Sequence, residues 1–107
     1  IDRAILAANI GLTPQNDGVM IKLYLPPLTE ERRREFVKKV MSEGEHAKVA
    51  IRNIRRDHME AIKKLQKDGM SEDLAKDAEG TIQAITDKKI TETDYHCSIK
   101  EKELMTV

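Results

Sequence analysis

Four basic residues at helical spacing form the feature of this sequence most suited to binding chemistry. Arg52, Arg55 and Arg56 lie within the segment RNIRRD, and Lys48 extends the same helix face. At about 100° per residue, Arg52 and Arg56 are neighbours on a helix surface, and Arg55 lies nearer the apolar face. Guanidinium groups held on a rigid helix can form paired hydrogen bonds with phosphate oxygens and so recognise folded RNA by its shape. Lys63 continues the same line further along the helix. We call Arg52, Arg55, Arg56 and Lys48 the basic stripe.

The same pattern is also typical of a solvated helix surface. Asp57 and Glu60 are placed to form ion pairs with the arginines along one face of a helix. Charged helices of this kind are common, so the charge pattern alone favours a solvated surface over a binding site. Residues 30–34, which are also acidic and basic, are interpreted as solvated helix surface as well.

No other group of residues predicts a catalytic or metal site. His96 and Cys97 are adjacent and therefore badly placed to bind one metal ion from a helix, and no second pair has ligand spacing. His58 lies on an apolar face, where a hydrogen-bonded interface histidine is the commoner interpretation. The sequence has no glycine-rich phosphate loop, nucleophile elbow or paired-carboxylate motif. We therefore predict a protein that is not an enzyme and uses no metal or cofactor.

The composition indicates a helical bundle or coiled coil. Charged residues make up 36% and aromatic residues 3% of the sequence, so the core must come from aliphatic side chains and methionine. Nineteen basic residues balance nineteen acidic ones, so any nucleic-acid surface must be local. The single cysteine, Cys97, suits a reducing compartment. No apolar run could span a bilayer and no signal peptide is visible. Because the first residue is Ile1 rather than Met, we expect an upstream segment.

The basic stripe must be positioned by one long helix, which is predicted from Thr29 to Asp68. The segment contains no proline, Thr29 is a suitable N-cap, and two glutamates follow it at the positive end of the helix dipole. Small and apolar residues recur at spacings of three and four, which predicts a seam that needs partner helices. The seam comprises Val37, Gly44, Ile51, His58 and Leu65, with Val40, Ala47, Ile54 and Ala61 between them.

A second long helix, predicted over residues 71–105, would fold back antiparallel to the first after a tight connection at Asp68-Gly69. Its apolar residues form two stripes that differ by one residue, so the packing of residues 86–98 is left open. The first stripe is Leu74, Ala78, Ile82 and Ile85, continued by the polar Lys89, Thr93 and His96; the second is Ile90, Cys97 and Leu104. Three helices enclose a shared core better than two, so the sequence suggests that a further helix is missing.

Residues 1–25 are interpreted as a fragment of a small α/β domain. A short helix from Ile1 to Asn9 precedes Gly11, and the alternating segment VMIKLYL at 19–25 predicts one strand. A single strand is not stable alone, so we expect its sheet partners to lie outside this sequence or in another chain. Pro26 and Pro27 stiffen the connection at residues 26–28, and the helical domain covers residues 29–107.

Three segments resemble the ribosome recycling factor family across nearly the whole chain: LPPLTEERR at 25–33, VAIRNIRRD at 49–57 and KEKELM at 100–105. The resemblance implies a mainly α, L-shaped protein in which a three-helix bundle joins a small α/β domain through two linkers. This sequence would then supply two long antiparallel bundle helices, one linker, and the last helix and strand of the small domain. The first bundle helix and most of the small domain would lie upstream.

The resemblance also implies a function in translation. Such a factor binds the post-termination ribosome and, with elongation factor G and its GTP hydrolysis, separates the subunits. Arg52, Arg55 and Arg56 would face large-subunit ribosomal RNA, with Lys48 extending that surface, and Pro26 and Pro27 would form a hinge. A monomer in the cytoplasm is expected, and an organellar source stays open. The alternatives are a coiled-coil adaptor that binds protein through the seam and an RNA-binding module unrelated to ribosomes.

Overall fold

The computed structural model describes residues 1–106 and contains three helices and one small sheet. Val107, the last residue of the predicted helical domain, lies outside the described residues. In chain order the elements are α1 (Asp2–Ala8), β1 (Pro14–Asn16), β2 (Ile21–Leu23), α2 (Glu30–Lys67) and α3 (Glu72–Met105). The prediction of a mainly helical fold with two long helices is confirmed.

Side-chain and backbone caps set the limits of the long helices. The Thr29 hydroxyl accepts a hydrogen bond from Arg32 N at 3.1 Å and starts α2. After Asp68, Gly69 adopts φ +116°, and Met70 N donates to Leu65 O at 3.0 Å. This left-handed glycine ends the helix and turns the chain. Ser71 Oγ then accepts from Leu74 N at 3.2 Å and starts α3.

The two long helices pack antiparallel along a narrow contact. Four positions of the two helices are buried: Gly44 and Ile62 in α2, and Ala75 and Thr86 in α3. Because the residues at the contact are small or of medium size, the helix pair encloses little apolar volume. Polar contacts cross the interface at intervals, and at the open end Arg33 Nη1 donates to Leu104 O at 2.6 Å and to Thr106 O at 2.9 Å.

Only part of the predicted seam of α2 is buried in the structure. Gly44 is buried and Val37 and Ile51 are half-buried, whereas Ile54 is 58% and Leu65 50% exposed. Ala47, Ala61 and His58 are also exposed, so His58 is not an interface residue in this chain. Its Nδ1 instead lies 2.8 Å from Ile54 O, one helical turn back. One helix covers only part of the seam because its contact is narrower than the apolar face.

In α3, the face packed against α2 takes residues from both predicted stripes. Ile90, Cys97 and Leu104 of the second stripe and Ala78, Ile82 and Thr93 of the first are half-buried, whereas Leu74 and Ile85 of the first stripe are 60% and 54% exposed. The helix is unbroken through residues 86–98. Threonine hydroxyls remain hydrogen-bonded within this helix, since Thr86 Oγ1 donates to Ile82 O and Thr93 Oγ1 to Lys89 O, both at 2.8 Å. The weak apolar pattern therefore does not interrupt the helix.

Two open cavities lie between α2 and α3, and we call them together the groove. The apolar residues Phe36, Val40, Ala47, Cys97 and Leu104 line the first cavity together with His96, and Ile51, Ile54, Ile82 and Ile85 line the second together with His58. Of the large hydrophobic residues that the helix pair leaves exposed, Ile54 and Ile85 line this groove, whereas Met41, Leu65 and Leu74 do not.

The small unit at residues 1–25 contains a β-hairpin rather than a lone strand. Pro14, Gln15 and Asn16 pair antiparallel with Leu23, Lys22 and Ile21 respectively. The expectation that the strand lacks a partner within this sequence was therefore wrong, and the strand spans Ile21–Leu23 instead of residues 19–25. The partner was missed because PQN is short, polar and begins with proline, which is typical of an edge.

Polar side chains close the turn of this hairpin. Asp17 Oδ1 accepts hydrogen bonds from Val19 N at 2.9 Å and Met20 N at 2.8 Å, and Asn16 Oδ1 accepts from Gly18 N at 2.8 Å. The bonds from Met20 and Val19 stabilise the carboxylate and lower the pKa of Asp17 below its usual 3.8. The charge of the Asp17 carboxylate therefore stabilises the hairpin turn.

The small unit meets the start of α2 at Arg32. The Arg32 guanidinium lies 5.5 Å from the centre of the Phe36 ring, and its other side approaches the backbone at Gly11. A Cβ atom at Gly11, which has φ +78°, would lie 2.6 Å from Arg32 Nη2. The backbone angle therefore favours glycine at this position, whereas the end of the flexible Arg32 side chain can shift to admit a Cβ atom.

Candidate nucleic-acid interface

Arg52 and Arg56 form the exposed part of the basic stripe. Both are exposed, lie one turn apart in the middle of α2, and are absent from the lining of the groove. Arg56 Nε is 3.9 Å from Asp57 Oδ1, and both side chains are more than 60% exposed. Such a pair contributes little stability, so it leaves the guanidinium available to another anion. Within residues 1–106, no carboxylate lies within ion-pair distance of Arg52.

Arg55 points toward α3 instead of outward. It is half-buried, lines the groove, and donates from Nη1 to Gln83 Oε1 at 3.1 Å. Gln83 Nε2 in turn donates to Asp87 Oδ1 at 2.9 Å. Arg55 Nε is enclosed and has no hydrogen-bond partner among the described residues. The guanidinium is thus held from one side by a neutral amide, with its other Nη hydrogens unpaired within residues 1–106.

Lys48 bridges the two helices and is already paired. Its Nζ lies 2.8 Å from Glu45 Oε1 and 2.9 Å from Asp94 Oδ1, and its side chain is only 16% exposed. The hydrogen bond to Glu45, which has the larger effect, and the hydrogen bond to Asp94 raise the pKa of Lys48 above its usual 10.5. The structure therefore does not bring Lys48 to the surface that Arg52 and Arg56 share.

The other residues considered as possible metal ligands form no metal site in the part of the chain that the structure describes. Cys97 is half-buried opposite Gly44, and its thiol lies 3.9 Å from Val40 O. The described residues contain no cluster of three His, Cys, Asp or Glu side chains that could hold a metal ion. Among residues 1–106, no helix combines the length and the apolar character needed to cross a bilayer.

Sequence reasoning missed the partners of the basic stripe: Gln83 binds Arg55, and Glu45 and Asp94 bind Lys48, whereas Asp87 contacts Gln83 and not the stripe itself. For Gln83, the tight turn at Gly69 carried the signal, because positions equally far from a hairpin turn face each other in antiparallel helices. Arg55 and Gln83 are each 14 residues from Gly69. The predicted hairpin therefore already implied that these two side chains face each other.

The fold and the site together define an elongated helical protein with a basic surface on a long helix. Comparison with known proteins identifies the family to which the chain belongs. The family model for ribosome recycling factor matches residues 1–105. The chain therefore belongs to the ribosome recycling factor family, as the resemblance of its three segments predicted.

Individual relatives agree with this assignment. Proteins named ribosome-recycling factor from Symbiobacterium thermophilum and Parabacteroides distasonis are 56% and 51% identical over 108 positions, which cover all of this chain. A solution structure of the ribosome recycling factor superposes with a TM-score of 0.68 at 43% identity, over 99% of this chain and 56% of that one. The chain spans 58% of the length of both curated relatives.

Proposed function

We propose that this protein acts in ribosome recycling. It binds the post-termination ribosome at large-subunit RNA and, with elongation factor G, promotes separation of the subunits. The observation that carries the proposal is the pair Arg52 and Arg56, exposed on the long helix of a chain that belongs to this family. The protein acts as a monomer in the cytoplasm and has no catalytic role of its own.

The basic stripe is the RNA-facing surface in this proposal. Arg52 and Arg56 form charge-assisted hydrogen bonds with phosphate oxygens, and Arg55 adds its unpaired Nη hydrogens from the cleft between the helices. Lys48 contributes least, since two carboxylates already lie within 3 Å of its Nζ. Because phosphate contacts release counterions, the affinity for large subunits falls steeply as salt is raised.

The open groove and the Pro26-Pro27 connection belong to the same proposal. A third helix, from the part of the family's length that this chain does not span, covers the apolar residues of the groove, leaves Arg55 at the edge of the groove open to RNA, and completes a bundle. Pro26 and Pro27 are both exposed, and they serve as the hinge between the small domain and the bundle. The energy for subunit separation comes from GTP hydrolysis by elongation factor G.

Cosedimentation with large ribosomal subunits tests the proposal. Full-length wild type is compared with Arg55→Ala and with the triple variant Arg52→Ala/Arg55→Ala/Arg56→Ala, after circular dichroism shows that each remains helical. Arg34→Ala is the matched control, because Arg34 is an exposed arginine of α2 that pairs with Glu30 at 3.4 Å. The triple variant should lose binding, whereas the control should bind as wild type. Unchanged binding by the triple variant would show that the basic stripe is solvated helix surface and not an RNA-binding site.

The exposed groove favours one alternative, a helical adaptor that binds another protein through its apolar residues. Ile54 and Ile85 lie in the groove and are 58% and 54% exposed. This alternative predicts binding that does not depend on the arginines or on salt.

An RNA-binding module unrelated to ribosomes is distinguished by a second assay, because it would bind generic structured RNA as tightly as large subunits.

A further inference from the structure

Arg55 is the only member of the basic stripe that is held by an uncharged side chain. Lys48 is bound by two carboxylates, and Arg56 lies beside one. Arg55 instead donates to the amide oxygen of Gln83 at 3.1 Å. A hydrogen bond of this kind fixes a side chain without neutralising it, so the charge of Arg55 remains available to an anion.

The orientation of the Gln83 amide is fixed by Asp87. A glutamine amide presents an acceptor on one side and donors on the other, whereas a carboxylate only accepts. Since Asp87 Oδ1 lies 2.9 Å from Gln83 Nε2, the amide oxygen of Gln83 is turned toward Arg55. Gln83 and Asp87 are four residues apart, so α3 holds both in one line along its surface.

We propose that Gln83 and Asp87 are positioning residues for RNA binding, which hold the Arg55 guanidinium in place from α3 while leaving its charge free for a phosphate. This inference rests on the proposed function and extends it to the second helix. A pre-ordered arginine does not lose its side-chain freedom at the moment of binding. Removal of the Gln83 contact should therefore weaken binding to large subunits by about two- to tenfold.

A double-mutant cycle in the full-length protein tests the coupling. Binding to large subunits is measured for Gln83→Ala, Arg55→Ala and the two combined, together with Asp87→Ala. Gln66→Ala serves as the matched control, because Gln66 is an exposed glutamine of α2. Alanine favours helix at each of these positions, and thermal unfolding of every variant separates a loss of stability from a loss of binding.

The proposal predicts that Gln83→Ala and Asp87→Ala weaken binding in the wild-type background, and that Gln83→Ala has no further effect once Arg55 is alanine. Equal losses in both backgrounds would overturn it, because they would show that Gln83 acts independently of Arg55. Unchanged or tighter binding of Gln83→Ala would overturn it as well. If Arg55→Ala itself binds as wild type, the role of Arg55 in the proposed function fails, and this inference fails with it.

The variant Gln83→Glu adds a readout that a purely structural role would not affect. A carboxylate at this position should pair with Arg55 and cancel its charge. The slope of log affinity against log salt should then decrease by about the contribution of one phosphate contact, whereas Gln83→Ala should leave the slope unchanged. Identical slopes for both variants would contradict the view that the neutrality of Gln83 matters.

Discussion

At the residue scale, Gly44 shows how closely the two long helices approach. It is buried, and a Cβ atom placed there would lie 2.6 Å from Cys97 Sγ. The other glycine within a long helix, Gly80, is exposed and has no atom within 4 Å of an added Cβ. These two glycines therefore differ in what a methyl group would meet, although both lie in regular helix.

Gly80→Ala should stabilise the chain by about 0.5–1 kcal/mol, because alanine loses less backbone entropy than glycine in a helix. Gly44→Ala should not stabilise it, since overpacking against Cys97 costs about 1–3 kcal/mol and offsets that gain. Urea unfolding followed by circular dichroism measures both. The combined variant Gly44→Ala/Cys97→Ala removes the clashing sulfur and should recover stability relative to Gly44→Ala. Equal stabilisation by the two single variants would show that the helices are not in close contact at Gly44.

Lys48 provides a second test at this scale. Lys48→Met keeps an unbranched chain that is one atom shorter but removes the bonds to Glu45 and Asp94. Both carboxylates are well exposed, at 64% and 59%, so we expect a loss of less than about 1 kcal/mol. Large-subunit binding of the full-length variant should fall less than that of Arg52→Ala. A larger loss of binding in a variant with unchanged stability would place Lys48 on the RNA-facing surface.

At the element scale, the hairpin turn depends on the ionisation of Asp17. The pKa of this carboxylate is lowered in the folded chain, so its contribution to stability is present above its usual pKa of 3.8. That contribution is lost as the pH falls through the lower folded value, because the protonated group accepts the two backbone bonds less well. Asn16 supports the turn through its own bond to Gly18 N.

The amide signals of Val19 and Met20 should therefore shift together below about pH 4 in an NMR titration. Asp17→Asn keeps an acceptor oxygen but has no charge to lose, so the same signals should be independent of pH in this variant. A titration that persists in Asp17→Asn would assign the pH dependence to another group. Amide signals from α2, which does not contain Val19 or Met20, serve as an internal reference.

The limits of the long helices could be predicted, and the turn at Gly69 also indicates that Arg55 faces Gln83, but most facing residues could not be predicted. Thr29, Gly69 and Ser71 act through local backbone geometry, which a sequence displays directly. The residues that each stripe of α3 contributes to the contact depend on the packing against α2, so they needed the packed structure. In the same way, the arginines of the site were visible as a pattern, whereas the Asp94 partner of Lys48 lies 46 residues away in sequence.

At the scale of the whole molecule, the chain is elongated and leaves one apolar surface open. Its radius of gyration is 21.5 Å, whereas a compact domain of this length would have about 13 Å. The groove between α2 and α3 exposes Ile54 and Ile85 side by side with other aliphatic residues. Apolar surfaces of this kind favour association in water.

In the monomer proposed above, a third helix covers the groove; with the groove open, we expect this 107-residue chain to self-associate as its concentration rises. Ile54→Glu places a charge in the groove and should keep the chain monomeric. Asn53→Glu is the matched control, because Asn53 is the exposed neighbour that does not line the groove. Sedimentation velocity over a range of concentrations measures the difference. A chain that remains monomeric without either substitution would show that the groove does not drive association.

The length of α2 makes the molecule sensitive to small rotations at its base. With 38 residues, this helix is about 57 Å long, and it continues directly from the short connection that follows β2. A rotation of about 10° in that connection would carry the turn at Gly69 through an arc of about 10 Å. In the proposed function Pro26 and Pro27 form the hinge, so a small change in the backbone angles there would displace the far end of α2 by a large distance.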